Sequence, residues 1–284
     1  MAMVLPILRL LRAGTLFSPA ADVVAGLCLL GLPWSPAAAA AVLASVLVYA
    51  GGMVWNDIAD RHEDARQRPE RPLPSAQVSL TLAIALGALL LGGALLLSPC
   101  RLQHGALVGG VLFYDFLGKK VALVGAATMG LLRGGNLAIA SGLGAVAPDD
   151  LRVLLIAAAC YGCYIVAVTI LGIFEDSRSV SPRAVVAIQT APPLAALVGL
   201  TTAQNGLWPA PALALLPIVW FARRNRQTAV WDQRAIRRSM MFLLLGTMLY
   251  TALLCLASSR YPEALAVALA IAPARLIARK IALT

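Results

Sequence analysis

Long apolar stretches with few charges alternate with short polar connections along this chain. The runs fall at 16–34, 37–55, 78–97, 104–118, 122–147, 153–174, 184–202, 206–222 and 239–258. Crossing a bilayer takes about 20 apolar residues, so the pattern predicts nine membrane-spanning helices. The fourth run is short and is expected to tilt or to be sheltered by its neighbours. Pro192, Pro193, Pro209, Pro211 and Pro217 lie in the seventh and eighth runs; prolines persist in spans where adjacent helices or waters satisfy the freed carbonyls. The segment 263–284 meets Arg275, Arg279 and Lys280 after a short apolar start, which predicts an interfacial helix or a partial tenth span. No linker separates two units, so residues 1–284 are expected to form one all-α polytopic bundle around a central cavity.

Composition strengthens this reading. Of 284 residues, 60% are hydrophobic and 13% charged, whereas soluble domains run near 45–50% and about 25%. A soluble enzyme is excluded. The first apolar run carries Asp22 and no small-residue cleavage site, so it is expected to be a span and not a removable signal. The net charge of +10 would fit a nucleic-acid partner, but its distribution argues against one. With the N-terminus placed in the cytoplasm, sixteen lysines and arginines fall in cytoplasmic connections and three, Arg101, Arg152 and Arg260, on the other side. That is a positive-inside bias, expected of a bacterial inner membrane. The five cysteines make no disulfide framework, and the Cys160–Cys163 pair sits within an apolar run, where packing is the expected role.

One stretch breaks the apolar pattern: VWNDIADRHEDARQRPERPLPSA, Val54 to Ala76. Asn56, Asp60 and Asp64 are four apart, and Asp57 and Asp64 seven apart. On a helix continuing out of the second span they share roughly one face. Like charges crowded at a low-dielectric boundary repel, and a hard cation relieves that repulsion. Oxygen-only ligands suit Mg²⁺, which binds one or two carboxylates together with substrate phosphates. The alternative is a solvated loop balanced by its own arginines.

NDIADRHEDARQRPERPLPSA resembles the first signature of the UbiA superfamily of intramembrane prenyltransferases, NDxxDxxxD followed by RPxxRPxxxG. Asn56, Asp57, Asp60, Asp64, Arg68, Pro69, Arg71 and Pro72 match, and Ala76 stands where glycine is usual. Tyr114 to Gly142 and Leu8 to Gly26 are similar to a UbiA-like branch of bacterial clusters of the Ebo type. The resemblance implies a cavity holding a prenyl diphosphate, bridged by Mg²⁺ to two acidic motifs, and a lipophilic acceptor that attacks the allylic carbon. It assigns Asn56, Asp57, Asp60 and Asp64 to the metal, and Arg68 and Arg71 to the diphosphate. Catalytic roles fall to Asp57, Asp60, Asp64 and Asp176.

The second acidic motif departs from the family's DxxxD. LGIFEDSRSVSPRAV offers Glu175 and Asp176 alone, with Arg178 and Ser179 where further acids are expected. Adjacent helical residues diverge by about 100°, so one of the two ligates metal or the site is impaired. Arg133 and Asn136, three apart in the fifth span, are expensive in lipid unless they face a cavity or a partner. Arg133 reads as a diphosphate or acidic-acceptor clamp, the alternative being a pair with Asp22, Asp115 or a carbonyl. Lys119 reads as a phosphate ligand or as a topology anchor. Asp22 faces the cavity or caps a helix; Tyr161, Tyr164 and Thr169 either stabilise an allylic cation or pack. His62 and His104 read as loop histidines without a role. The expectation is a Mg²⁺-dependent prenyltransferase in the lipid bilayer with its active-site loops on the cytoplasmic side. A non-catalytic isoprenoid binder or transport component, or a terpene cyclase, are the alternatives.

Overall fold

The computed structural model describes residues 3–176, 181–203, 209–228 and 230–282, the side chains of Asp176 and Ala282 excepted. Ser35 begins the helix that carries the acidic stretch. Its Oγ accepts from the Ala38 N–H at 3.1 Å and Pro36 follows it, an N-cap with proline in the first turn. The helix then runs unbroken over Pro36–Gln67, so the acidic residues do lie on a direct continuation of the second apolar run.

In chain order the helices are α1 (Val4–Leu10), α2 (Phe17–Leu29), α3 (Pro36–Gln67), α4 (Leu80–Leu97), α5 (Arg101–Phe116), α6 (Ala122–Leu137), α7 (Pro148–Asp176), α8 (Pro182–Thr202), α9 (Pro209–Gln227), α10 (Gln233–Ala257) and α11 (Tyr261–Ala282), with short 3-10 turns before α2 and on both sides of α6. Among the described residues, six helices are long and apolar enough to cross a membrane, or seven if α1 and the following helix, bent by 50°, count as one span. The nine predicted runs all correspond to helices, but α5 and α9 fall short of that standard and α2 meets it only together with the bent segment before it, so nine spans are not borne out. Helix α5 has 16 residues, about 24 Å at the usual rise against a hydrocarbon core of about 30 Å. Helix α9 ends in Arg223, Arg224 and Arg226. Helix α11 is also outside the crossing set and packs on α10, α2 and the turn before α2.

The two largest apolar clusters among the described residues hold most of the bundle. One gathers α2, α7, α8 and α10 around Leu154, Tyr161, Leu171, Leu200 and Leu254. The other joins α3, α4 and α5 around Val48, Leu91 and Leu107. Leu89, Leu96, Leu102, Leu123 and Leu131 point outward and exposed, as a lipid-facing belt requires. Helices α6 and α7 meet through small residues. A Cβ at Gly130 would stand 2.7 Å from the Gly162 carbonyl oxygen, and one at Gly134 2.6 Å from that of Ala158. This close approach is the small-xxx-small contact by which helices pack in lipid.

His104 is not a loop residue. It lies in α5, fully buried, with Ser45 Oγ 2.9 Å from Nε2 and Ser98 Oγ 2.7 Å from Nδ1, and it ties α5 to α3. Cys160 and Cys163 carry free thiols. At the end of the bundle opposite the acidic stretch, Arg260 donates to Glu263 at 2.8 Å and to the Leu32 carbonyl at 3.3 Å, while Trp34 Nε1 donates to Glu263 at 3.2 Å. The Arg260 hydrogen bond holds the Glu263 carboxyl below its usual range. These contacts clip the α2–α3 connection to the start of α11.

Candidate active site

The last three turns of α3 present their acids in two rows. Asn56 and Asp60, one turn apart, both reach Lys119 Nζ, at 3.1 and 2.6 Å. Asp57 and Asp64, two turns apart, both face Arg71 Nη1, at 3.7 and 2.6 Å. Asp57 also accepts from Arg12 Nη2 at 3.2 Å. Asp57 and Asp64 are buried, whereas Asp60 is partly open to the solvent. So the single face anticipated from the spacing is two adjacent rows, each converging on one positive charge.

Arg71 reaches back because the chain after α3 turns sharply. Arg68 ends the helix, its N–H donating to the Asp64 carbonyl at 2.8 Å with its side chain exposed. Further along, Ala76 adopts φ 57°, a left-handed conformation that costs a Cβ-bearing residue about 1–2 kcal/mol. Glycine at the corresponding signature position would adopt it freely. Lys119 arrives from the 3-10 turn after α5.

Arg12 escaped the sequence reading, which counted it only as a cytoplasmic charge. It sits at the bend before α2 with φ 49°, and its side chain joins two cavities. The inner one, about 140 Å³, has apolar walls that include Val48, Met53, Leu107 and Met129; Arg12, Asn56, Tyr114, Asp115, Arg133 and Asn136 supply its polar groups. The outer one, about 650 Å³, is lined by Arg9, Arg12, Asp57, Glu70 and Arg71, among others. Asp115 was missed as a cavity residue for the same reason as Arg12: its meaning depends on what α3 and α6 bring beside it.

Arg133 and Asn136 line the inner cavity but spend their hydrogen bonds on α2 and on Tyr161 of α7. Arg133 Nη2 donates to Asp22 at 3.2 Å, to Tyr161 OH and to Ser18 Oγ. Asn136 Nδ2 donates to Asp22 at 3.0 Å and to the Pro19 carbonyl at 2.9 Å, and Tyr161 OH donates to Asp22 at 2.9 Å. Asp22 is therefore their partner. Tyr161 and Tyr164 are buried, with Tyr164 OH donating to the Leu243 carbonyl at 2.7 Å, and Thr169 bonds to the Ile165 carbonyl; all three are committed to packing and internal hydrogen bonds.

Among the described residues, no hydrogen bond or ion pair joins the second acidic region to the first. Glu175 faces Arg237 of α10 at 3.6 Å; the side chain of Asp176, with Arg178 and Ser179, lies outside the described residues. Among the described residues, no three His, Cys, Asp or Glu side chains are grouped closely enough to hold a metal ion. The oxygen donors Asn56, Asp57, Asp60 and Asp64 nevertheless suit a hard cation, since each row already brings two oxygens to one cationic nitrogen.

Several known proteins are similar to this chain. A digeranylgeranylglyceryl phosphate synthase of Ignicoccus hospitalis is 37% identical over 150 residues, 49% of this chain and 49% of that protein. One from Sulfolobus acidocaldarius is 39% identical over 84 residues, 28% of this chain and 30% of that protein. The chain thus spans at most about half the length of the curated relatives it matches. A solved structure of digeranylgeranylglyceryl phosphate synthase superimposes with TM-score 0.67 at 18% identity, covering 91% of this chain and 99% of that one. A UbiA homolog from Archaeoglobus fulgidus bound to DMAPP and Mg²⁺ gives TM-score 0.61 at 14% identity, covering 92% and 98%. At such identities the likeness speaks for the fold. The UbiA prenyltransferase family itself matches residues 20–246, a range that takes in the acidic rows of α3, Lys119 and the Asp22–Arg133 cluster, and this integral membrane protein belongs to that family.

Proposed function

We propose that this protein is an intramembrane prenyltransferase that moves an isoprenyl group from a prenyl diphosphate to a lipophilic acceptor. The observation that carries the reading is the convergence of Asn56 with Asp60, and of Asp57 with Asp64, each pair on one cationic side chain, with Asn56 lining the apolar inner cavity and Asp57 the outer one. These oxygens would hold Mg²⁺, which would supply the positive charge that a diphosphate leaving group needs. Arg71 and Lys119, which are paired with these acids, would take phosphate oxygens, with the exposed Arg68 nearby. The apolar wall excludes water from the allylic carbon. Arg133 and Asn136 set the shape of the cavity through Asp22 and meet the substrate only with their remaining donors. Glu175 or Asp176 would supply a second metal contact. The residues carrying this chemistry lie on the cytoplasmic side of a bacterial inner membrane, as the arginine distribution implies. The relatives named above, and the neighbour bound to DMAPP and Mg²⁺, support the same chemistry.

The test is titration of a prenyl diphosphate analogue into detergent-purified protein with and without Mg²⁺. Wild type binds only with the metal. Asp60→Ala, which removes one carboxylate while leaving the bundle folded, is expected to lose about 10–100-fold in affinity. Unchanged affinity in that variant sinks the metal assignment.

The pairing of Glu175 with Arg237 favours one second reading, a binder that holds the isoprenoid without turnover. Wild type that binds the diphosphate but never releases inorganic diphosphate, across allylic donors of increasing length and a membrane extract, decides for it.

A further inference from the structure

We infer that Asp115 is the catalytic base of the transfer step, the group that receives the proton lost by the acceptor. This rests on the prenyltransferase reading above and adds a residue to it. Asp115 is the next-to-last residue of α5, is 3% exposed and lines the inner cavity beside Tyr114, Asn56 and Arg12. Its Oδ2 is buried without any hydrogen-bond partner. Among the described residues the other buried carboxylates are all engaged: Asp22 by Arg133, Asn136 and Tyr161, Asp57 by Arg12 and Arg71, and Asp64 by Arg71.

An unsatisfied buried polar atom costs about 1–3 kcal/mol, and a bound substrate hydroxyl would supply the missing partner. The location suits that task. Arg12 and Asn56, which line the same cavity as Asp115, are bonded to Asp57 and Lys119 respectively, which puts Asp115 at the seam between the diphosphate-binding end and the apolar cavity. Unlike the acids of α3, it has no guanidinium or ammonium bonded to it. It is therefore free to accept a proton from a neutral nucleophile.

The step balances as follows. The bond between the allylic carbon and the diphosphate oxygen breaks, and its electron pair leaves with the diphosphate. A lone pair of the acceptor's hydroxyl oxygen forms the new carbon–oxygen bond, and the hydroxyl proton passes to Asp115 Oδ2. An aromatic acceptor attacked at carbon would give up its ring proton to the same atom.

The experiment separates ionisation from coupling. Prenyl diphosphate carrying oxygen-18 in the bridging position reports carbon–oxygen cleavage through positional isotope exchange, whether or not an acceptor reacts. Coupling is followed with a total lipid extract of the source cell as acceptor. Asp115→Asn, which preserves size and shape, should bind the diphosphate and exchange the label within about twofold of wild type, yet couple roughly 10²–10⁴-fold more slowly. Asp115→Glu, which returns a carboxylate at a shifted position, should fall between the two, and it serves also if the Asn variant folds poorly. Coupling at the wild-type rate in Asp115→Asn overturns the assignment. So does a loss of diphosphate affinity, which would make Asp115 part of the phosphate site. Wild type showing neither exchange nor coupling overturns the prenyltransferase reading, and this assignment with it.

Discussion

Asp22 illustrates how one side chain settles the role of several others. Burial of Arg133 in the bundle is tolerable only because Asp22, itself fully buried, lies within 3.2 Å and is bonded in turn by Asn136 and Tyr161. Truncating one partner of such a pair leaves an uncompensated buried charge, at a cost of about 3–5 kcal/mol. We expect Asp22→Ala and Arg133→Ala each to destabilise the protein by that order in detergent unfolding. The double variant should lose less than the sum by roughly 0.5–3 kcal/mol. Strict additivity would show that the two groups act independently. The sequence alone marked Arg133 and Asn136 as sharing one helix face, and named Asp22 among the possible partners. It could not rank that partner above a phosphate, because the two segments are 111 positions apart.

At the level of elements, α3 was the most legible piece. The four-residue spacing of Asn56, Asp60 and Asp64 requires a helix if they are to act together, and the structure continues that helix to Gln67. The connection that follows is where this chain departs from its own signature. Ala76 occupies the left-handed conformation that glycine adopts without strain, so Ala76→Gly should stabilise the protein by about 0.5–1 kcal/mol. That is the backbone strain relieved less the extra freedom glycine gives the unfolded chain. Thermal unfolding would detect it as a raised midpoint, and a lowered midpoint would mean that the Ala76 methyl group contributes packing that outweighs the strain. A sequence pattern identifies such a position only by showing a glycine there, and here it shows alanine.

The whole molecule has one charged end and one sparsely charged end, and its topology can be tested directly. Single cysteines introduced beside Arg66 and Arg224 in an otherwise cysteine-free background should be labelled from the cytoplasmic side, and one beside Asp149 from the opposite side. Labelling of all three from the same side would undo both the span assignment and the cytoplasmic placement of the acidic rows. The sequence by itself determined the all-helical membrane class, the family, and the helix carrying the acidic motif. Each of these depends on apolar run length or on residues within a few turns of one another, and such local patterns survive in one dimension. Only the tertiary structure decided that Arg12 reaches Asp57, that Lys119 bridges Asn56 and Asp60, and that Asp115 faces the cavity unpaired. Those relations arise where α2, α3, α5 and α6 converge, and the packing that brings distant segments within a few ångströms leaves no periodicity in the sequence.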